Sequence, residues 1–255
     1  MTTVCVLGLG EAGSRLGADL VAAGVEVLGF DPIVATAPEG IVRAPDAAAA
    51  ADGADVVLSL TTASGALAAA ESVVQVLAAG SVYADLNTSS PALKRDLAAL
   101  LGSQGRLFAD VALLGAVPAR GLGTPALASG SGAEAFADLL GRLGMPVEVV
   151  SSQAGDAAAM KLLRSVFMKG VAAAAVESTR AAATAGHEEW LRVQIAEVIG
   201  EPLLDRLLDG SRTHAVRRVE EMEAATALLR ELGIEPHVAT ASAALLSDLA
   251  HDADR

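Results

Sequence analysis

The chain has 255 residues, 53% hydrophobic, 19% charged and 2% aromatic, which is enough apolar material for one large core or two modest ones and excludes a disordered chain. Against 31 acidic residues there are 18 basic ones, so the net charge is −13. A field of that sign repels phosphate backbones and anionic bilayers, so neither nucleic acid nor a membrane surface is expected as a partner.

Cys5 is the only cysteine, which excludes an intrachain disulfide and a cysteine metal cluster. The four histidines (His187, His214, His237 and His251) have no metal-ligand spacing, and no metal is expected. The longest run without a charge, residues 56–70, is too short and too polar to span a bilayer. The start, Met1-Thr2-Thr3-Val4, lacks the basic and apolar regions of a signal peptide, so a cytoplasmic protein is expected.

Along the chain, β-branched runs alternate with Ala/Leu-rich stretches. Strands are predicted at 3–8, 25–30, 55–60, 81–85, 107–111, 125–129 and 147–151, with helices at 11–23, 64–79, 91–101 and 133–143. Such alternation means βαβ units, and right-handed crossovers then give a doubly wound, mainly parallel α/β sheet. From about residue 155 nothing reads as a strand. A long helix is predicted over 154–185, with Ser152 or Asp156 as its cap, followed by helices at 188–199, 202–208, 213–232 and 237–249. The expected organisation is an α/β domain at 1–152 and an all-α domain at 153–255, joined by that helix. With few aromatics, the cores must be built from Ala, Leu and Val.

The first strand runs into Gly8-Leu9-Gly10-Glu11-Ala12-Gly13, and a helix follows. In that context Gly8 serves the tight turn, Gly10 the approach of a pyrophosphate and Gly13 close helix–strand packing. The helix N-terminus then offers partial positive charge to the phosphates. Asp31, at the end of the second strand, can accept hydrogen bonds from the adenosine ribose or serve as a turn-forming Asp before Pro32. A carboxylate there repels a 2′-phosphate, and Arg43 lies twelve positions on, so NAD is favoured, with NADP as the alternative cofactor.

Surface cations are mostly arginine, 15 against 3 lysines, yet Lys161 and Lys169 share the long helix. Residues four and eight apart lie about 40° and 80° round a helix, so Lys161, Ser165 and Lys169 form one stripe with Arg164 at its edge. This is either a site that holds an anion and exchanges protons, or a row of solvated lysine stems. The apolar neighbours Met160, Leu162, Leu163, Val166, Phe167 and Met168 predict a largely buried helix.

Four segments make the whole chain resemble the β-hydroxyacid dehydrogenases, the family of 3-hydroxyisobutyrate and 6-phosphogluconate dehydrogenases. They are the loop 8–13, the turn Asp85-Leu86-Asn87-Thr88-Ser89-Ser90-Pro91, the stretch from Asp110 through Leu114-Gly115-Ala116 to Gly130, and residues 155–165. The resemblance implies a Rossmann-type domain followed by an all-α domain. It implies an NAD(P)-dependent oxidoreductase acting on a small anionic hydroxy or oxo compound, with Lys161 as proton acceptor and donor. Asn87, Leu114, Gly115 and Ala116 would face the substrate, Arg164 and Lys169 its anion, and Leu60, Thr61 and Thr88 would join residues 8–13 and Asp31 around the cofactor. Leu114 replaces the serine that usually holds a carboxylate, and Ser165 replaces an asparagine. His214 either reaches a site, from a partner subunit, or is a cap or surface residue. A homodimer through the helical domain is implied. Oxidative decarboxylation, imine reduction and non-catalytic NAD binding are the competing functions on the same fold.

Overall fold

The computed structural model describes residues 2–253, and they fall into two compact units, Met1–Ala159 and Met160–Arg255 by their contacts. The division lies inside the long helix.

The first unit contains, in chain order, β1 (Thr3–Leu7), α1 (Glu11–Ala22), β2 (Glu26–Phe30), β3 (Ile41–Arg43), α2 (Ala47–Ala51), β4 (Val56–Ser59), α3 (Ala66–Val73), β5 (Val82–Asp85), α4 (Pro91–Ser103), β6 (Leu107–Leu113), α5 (Val117–Arg120), β7 (Ala126–Ser129), α6 (Ala133–Arg142) and β8 (Val147–Ser151). The strands form one sheet in the order β3-β2-β1-β4-β5-β6-β7-β8. Every neighbouring pair is parallel except β6 and β7. The first six strands thus have the doubly wound order that opens a crevice at the strands' carboxyl ends.

Both faces of the sheet are covered, and β1 shows how alternation achieves it. Val4 and Val6 point into a core with Leu16 and Leu20 of α1 and Phe136 and Leu140 of α6. Cys5 and Leu7 point the other way, against Ala50 of α2, Ala66 and Ala70 of α3, and Leu97 and Leu101 of α4. Burial pushes the Cys5 thiol up to about 12, so it stays protonated and behaves as a small apolar side chain.

The seven expected strands are present. β3 and α2 were not expected: three residues are too few for a periodicity, and α2 is a run of alanines whose start is marked only by Asp46, which accepts from Ala49 N at 2.8 Å.

α7 (Asp156–Ala185) starts in the first unit and continues into the second. Its first turn is not held by Ser152 or Asp156. Instead the Asp110 carboxylate accepts from Gly155 N and Ala158 N, at 3.1 and 3.0 Å, and the Ser129 hydroxyl from Ala157 N at 3.1 Å. A carboxylate at a helix N-terminus also meets the positive end of its dipole.

The second unit adds α8 (Glu188–Ile199), α9 (Glu201–Thr213), α10 (Ala215–Glu231) and α11 (His237–Ala253). Its core is small-residue and leucine-rich: Leu204, Leu207 and Leu208 of α9, Met222, Ala225 and Leu229 of α10, and Ala239, Leu246 and Leu249 of α11. A Cβ at Gly170, inside α7, would lie 2.7 Å from the Val238 side chain, so this glycine admits α11 close to α7. No helix among the described residues is long and apolar enough to cross a membrane.

Candidate active site

The loop after β1 separates glycines that the fold needs from one it does not. Gly8 has φ +95°, and a Cβ there would sit 2.3 Å from Leu60 O. A Cβ on Gly13 would be 1.8 Å from Gly8 O. Both positions are closed to side chains by the chain's own packing. A Cβ on Gly10 would meet nothing within 4 Å. Gly10 is the N-cap of α1 and has no side-chain acceptor, so the first-turn N–H groups face this open space. A cradle of that kind fits a pyrophosphate.

Asp31 is turned inward. One carboxylate oxygen accepts from Leu9 N at 2.7 Å, and the other from Ile33 N and Val34 N, both at 2.8 Å. It therefore makes the Asx turn of the second reading and at the same time braces the glycine loop. Of its four lone-pair positions three are used, leaving one for a ribose hydroxyl. Burial pushes its pKa up, but the three backbone bonds and nearby Arg43 outweigh this and hold it below the usual carboxylate value. Arg43 is not remote, as its sequence distance suggested: its guanidinium donates to Asp31 O at 3.0 Å and Val34 O at 2.9 Å. The charge that would repel a 2′-phosphate thus has a cation beside it.

Next along the strand ends comes Asn87. Its Nδ2 lies 3.3 Å from Ser59 Oγ and 3.2 Å from Thr61 Oγ1, and donates to the Asp85 carboxylate. A carboxylate only accepts, so the amide is fixed nitrogen-inward and Oδ1 is the atom left to a ligand. Leu60 is joined to β1 by its N–H bond to Leu7 O, 2.7 Å, and Thr88 follows Asn87 as a half-buried residue. Asp31, the loop 8–13, Leu60, Thr61 and Asn87 therefore form one continuous rim.

Behind this rim lies a group that sequence reasoning missed. Lys94 of α4, 1% exposed, places Nζ 2.8 Å from Asp85 Oδ2, 3.1 Å from Asp110 Oδ1 and 2.7 Å from Asp85 O. Burial pushes the ammonium down, but the two carboxylates outweigh it and raise Lys94 above its ordinary value. One cation thereby holds the carboxylate that orients Asn87 and the carboxylate that starts α7. The available signal was a pair of acids at the ends of adjacent apolar strands, which demands a buried cation.

Leu114, Gly115 and Ala116 follow β6. Leu114 N bonds Pro125 O at 2.8 Å, while Gly115 and Ala116 are exposed. A Cβ on Gly115 would have ordinary contact, 3.6 Å, with Arg120 and Thr124.

In the second unit the stripe on α7 is real. Lys169 Nζ lies 2.9 Å from Glu221 Oε1 and 3.3 Å from Ser165 Oγ, and Ser165 donates to the same carboxylate oxygen. Burial pushes Glu221 up, but Lys169 and Lys161, with the bonds from Ser165 and Lys169, hold it below its usual value. Burial pushes Lys169 down, helped by Arg218 and Arg164 and opposed by Glu221. The Glu221 direction expresses the cations gathered at one carboxylate, whereas the Lys169 direction is set first by burial. Lys169 is thus already paired, and Arg164 is exposed. Contrary to expectation α7 is not largely buried here: Met160, Leu163 and Phe167 are 46%, 44% and 70% exposed, because no element among the described residues of the second unit covers that face. His214 is the exposed residue between α9 and α10, and its side chain makes no cap hydrogen bond to α10.

Residues 3–150 match the model of the NAD binding domain of 6-phosphogluconate dehydrogenase, and 182–249 that of a domain of unknown function, DUF1932. An uncharacterized 28.5 kDa protein in the 7S RNA 5′ region of Methanothermus fervidus is 29% identical over 171 residues, 66% of this chain and 65% of that protein, so the match spans just under two thirds of the relative's length. The conserved protein MTH1747, of unknown function and structurally similar to 3-hydroxyacid dehydrogenases, is 30% identical, with TM-score 0.74 over 99% of this chain and 98% of that one. A Mycobacterium tuberculosis 3-hydroxyisobutyrate dehydrogenase, solved with L-serine, shares the fold: TM-score 0.82 at 22% identity, covering 99% of this chain and 94% of that one. The first unit is thus an NAD-binding domain, and through residues 3–150 the chain belongs to the family of the NAD binding domain of 6-phosphogluconate dehydrogenase.

Proposed function

We propose that the protein is an NAD(P)-dependent dehydrogenase or reductase acting on a small anionic hydroxy or oxo compound, with Lys161 exchanging the proton. The observation that carries this reading is the open space over Gly10 at an α1 N-terminus that no side chain caps. The bound nicotinamide supplies the hydride acceptor in oxidation and the donor in reduction.

The chain's own residues do the rest. The first-turn N–H groups of α1 bind the pyrophosphate, and Asp31 offers its remaining lone pair to the ribose. Asn87 Oδ1 accepts a hydrogen bond from a ligand donor. Gly115 and Ala116 offer exposed backbone to the substrate, since Leu114 has no hydroxyl for a carboxylate. Lys161 Nζ takes the hydroxyl proton during oxidation and returns it during reduction. The cations Lys161, Lys169 and Arg218 gathered around Glu221, with Arg164 near Lys169, in a chain of net charge −13, support an anionic substrate.

The test is a panel of small hydroxy acids with NAD⁺ and NADP⁺, scored by reduced-cofactor absorbance, with carbon dioxide measured in parallel. The same panel run in reverse takes oxo acids with and without an amine. Cofactor reduction by a hydroxy acid without carbon dioxide release supports the reading. Carbon dioxide release identifies an oxidative decarboxylase, turnover only with amine an imine reductase, and no turnover with any arm a binding protein.

A homodimer through the helical unit is part of the same proposal. None of the residues of α8 is buried, and it presents Trp190 and Val198, 65% and 83% exposed, to solvent. A helix with no buried residue and large apolar side chains in solvent supports an interface there. Sedimentation should show a species of about twice the 25.5 kDa chain, and a compact 25.5 kDa species at micromolar concentration would overturn it.

A further inference from the structure

The segment from Gly115 to Thr124 is a loop with almost no strand or long helix of its own, yet it is tied down at two points by α1. Asp19 Oδ2 accepts from Leu122 N at 2.9 Å, across 103 residues of sequence. Arg15 Nη1 donates to Pro118 O at 3.1 Å, and Arg15 Nε pairs with Asp19 at 3.1 Å. The fit is tight enough to dictate the loop's sequence: Gly121 has φ +53°, and a Cβ there would fall 1.7 Å from Asp19 Oδ2 and 2.9 Å from Arg15 Nε. Within the loop, Thr124 Oγ1 donates to Gly121 O at 2.8 Å, and Ala119 N and Arg120 N both return to Ala116 O at 3.2 Å. Leu122 is buried in the core against which α1 packs. The loop is therefore one hydrogen-bonded piece running from Ala116 to Thr124, and its outside anchor is the helix that begins at Gly10.

We propose that Asp19, oriented by Arg15, is a positioning residue that couples the cofactor helix to the substrate loop, so that occupying the glycine loop orders Gly115 and Ala116. This rests on the dinucleotide and substrate roles proposed above. The N-terminus of α1 has no side-chain cap, so a pyrophosphate supplies acceptors that its first turn otherwise lacks. Arg15 and Asp19 lie one and two turns further along the same helix. Ordering the helix lowers the cost of ordering what hangs from it, which is coupling through conformational entropy with hydrogen exchange as its observable.

The experiment is hydrogen exchange by mass spectrometry on the full chain, with and without saturating NADH or NADPH, for wild type, Asp19→Ala, Asp19→Asn and Arg15→Met. In wild type the cofactor should slow exchange both at 8–16 and at 115–124. In Asp19→Ala it should still protect 8–16, with a dissociation constant changed by less than about threefold, while protection at 115–124 disappears. Asp19→Asn, whose amide oxygen can still accept from Leu122 N, should restore part of it, and Arg15→Met should weaken it. A purely structural role for Asp19 would speed exchange at 115–124 equally with and without cofactor. Persistence of the cofactor effect in Asp19→Ala overturns the proposal, as does its absence at 115–124 in a wild type that binds. Absence of any protection or binding in wild type overturns the dinucleotide reading itself. Should Asp19→Ala fail to fold, Arg15→Met, which removes only surface contacts, carries the test.

Discussion

Lys161→Ala should lower turnover by roughly 10²–10⁴-fold, the usual contribution of a positioned proton acceptor. That corresponds to about 3–5 kcal/mol of barrier. The dissociation constant for NADH, measured by titration, should stay near the wild-type value, because the groups proposed to hold the cofactor all lie in residues 8–88. Lys161→Arg should not rescue activity. Guanidinium keeps the positive charge but does not release its proton near neutral pH, so a charge-only role and a proton-exchange role predict opposite results for this variant. Rescue by arginine would reassign Lys161 to holding the substrate anion. Equal loss of turnover and cofactor affinity would mean that α7 had lost its structure, which circular dichroism and the melting temperature would show directly.

How much of this was legible in the sequence depends on the range of the interaction. The strands and helices came from local periodicity, and α8 was placed at its observed ends. The glycine loop was readable because sterics act within a few residues: Gly13 must clear Gly8 O, whatever else the chain does. What could not be read were contacts made across the sheet. The acceptors for the first turn of α7 come from Asp110 and Ser129, not from the adjacent Ser152 or Asp156. Arg43 stands twelve residues from Asp31 in sequence but bonds its carbonyl, which weakens the case against NADP. Asp19 and Leu122 carry no pattern that links them. Phe167 looked like a core residue on an apolar helix, but hydrophobicity does not say which face of a helix is covered, and Phe167 is 70% exposed. Lys94 was passed over as the third lysine because its meaning lies in Asp85 and Asp110, which are register partners on neighbouring strands.

Lys94→Met should destabilise the first unit strongly, by about 3–5 kcal/mol in urea or guanidinium unfolding. Domain stabilities are about 5–15 kcal/mol in total, so the variant would sit close to the threshold of folding. The loss comes less from the missing ion pair than from what is left behind. Asp85 Oδ2 and Asp110 Oδ1 are buried and have no hydrogen-bond donor apart from the facing ammonium, so its removal strands two like charges in the sheet. The pH response of wild type is set by Lys94. Lys94 is raised on folding, so its contribution is fully present below the ordinary lysine value of about 10.4 and fades only as pH climbs through the higher folded value. Adding Asp85→Asn to Lys94→Met removes one of the stranded charges while leaving Asn87 an amide oxygen to bond. The double variant should then be more stable than Lys94→Met alone, a non-additivity that a purely steric role for the lysine would not produce. A cost below about 1 kcal/mol for Lys94→Met, or simple additivity in the double variant, would mean that Asp85 and Asp110 are compensated by the sheet itself and that Lys94 is only a space-filling stem.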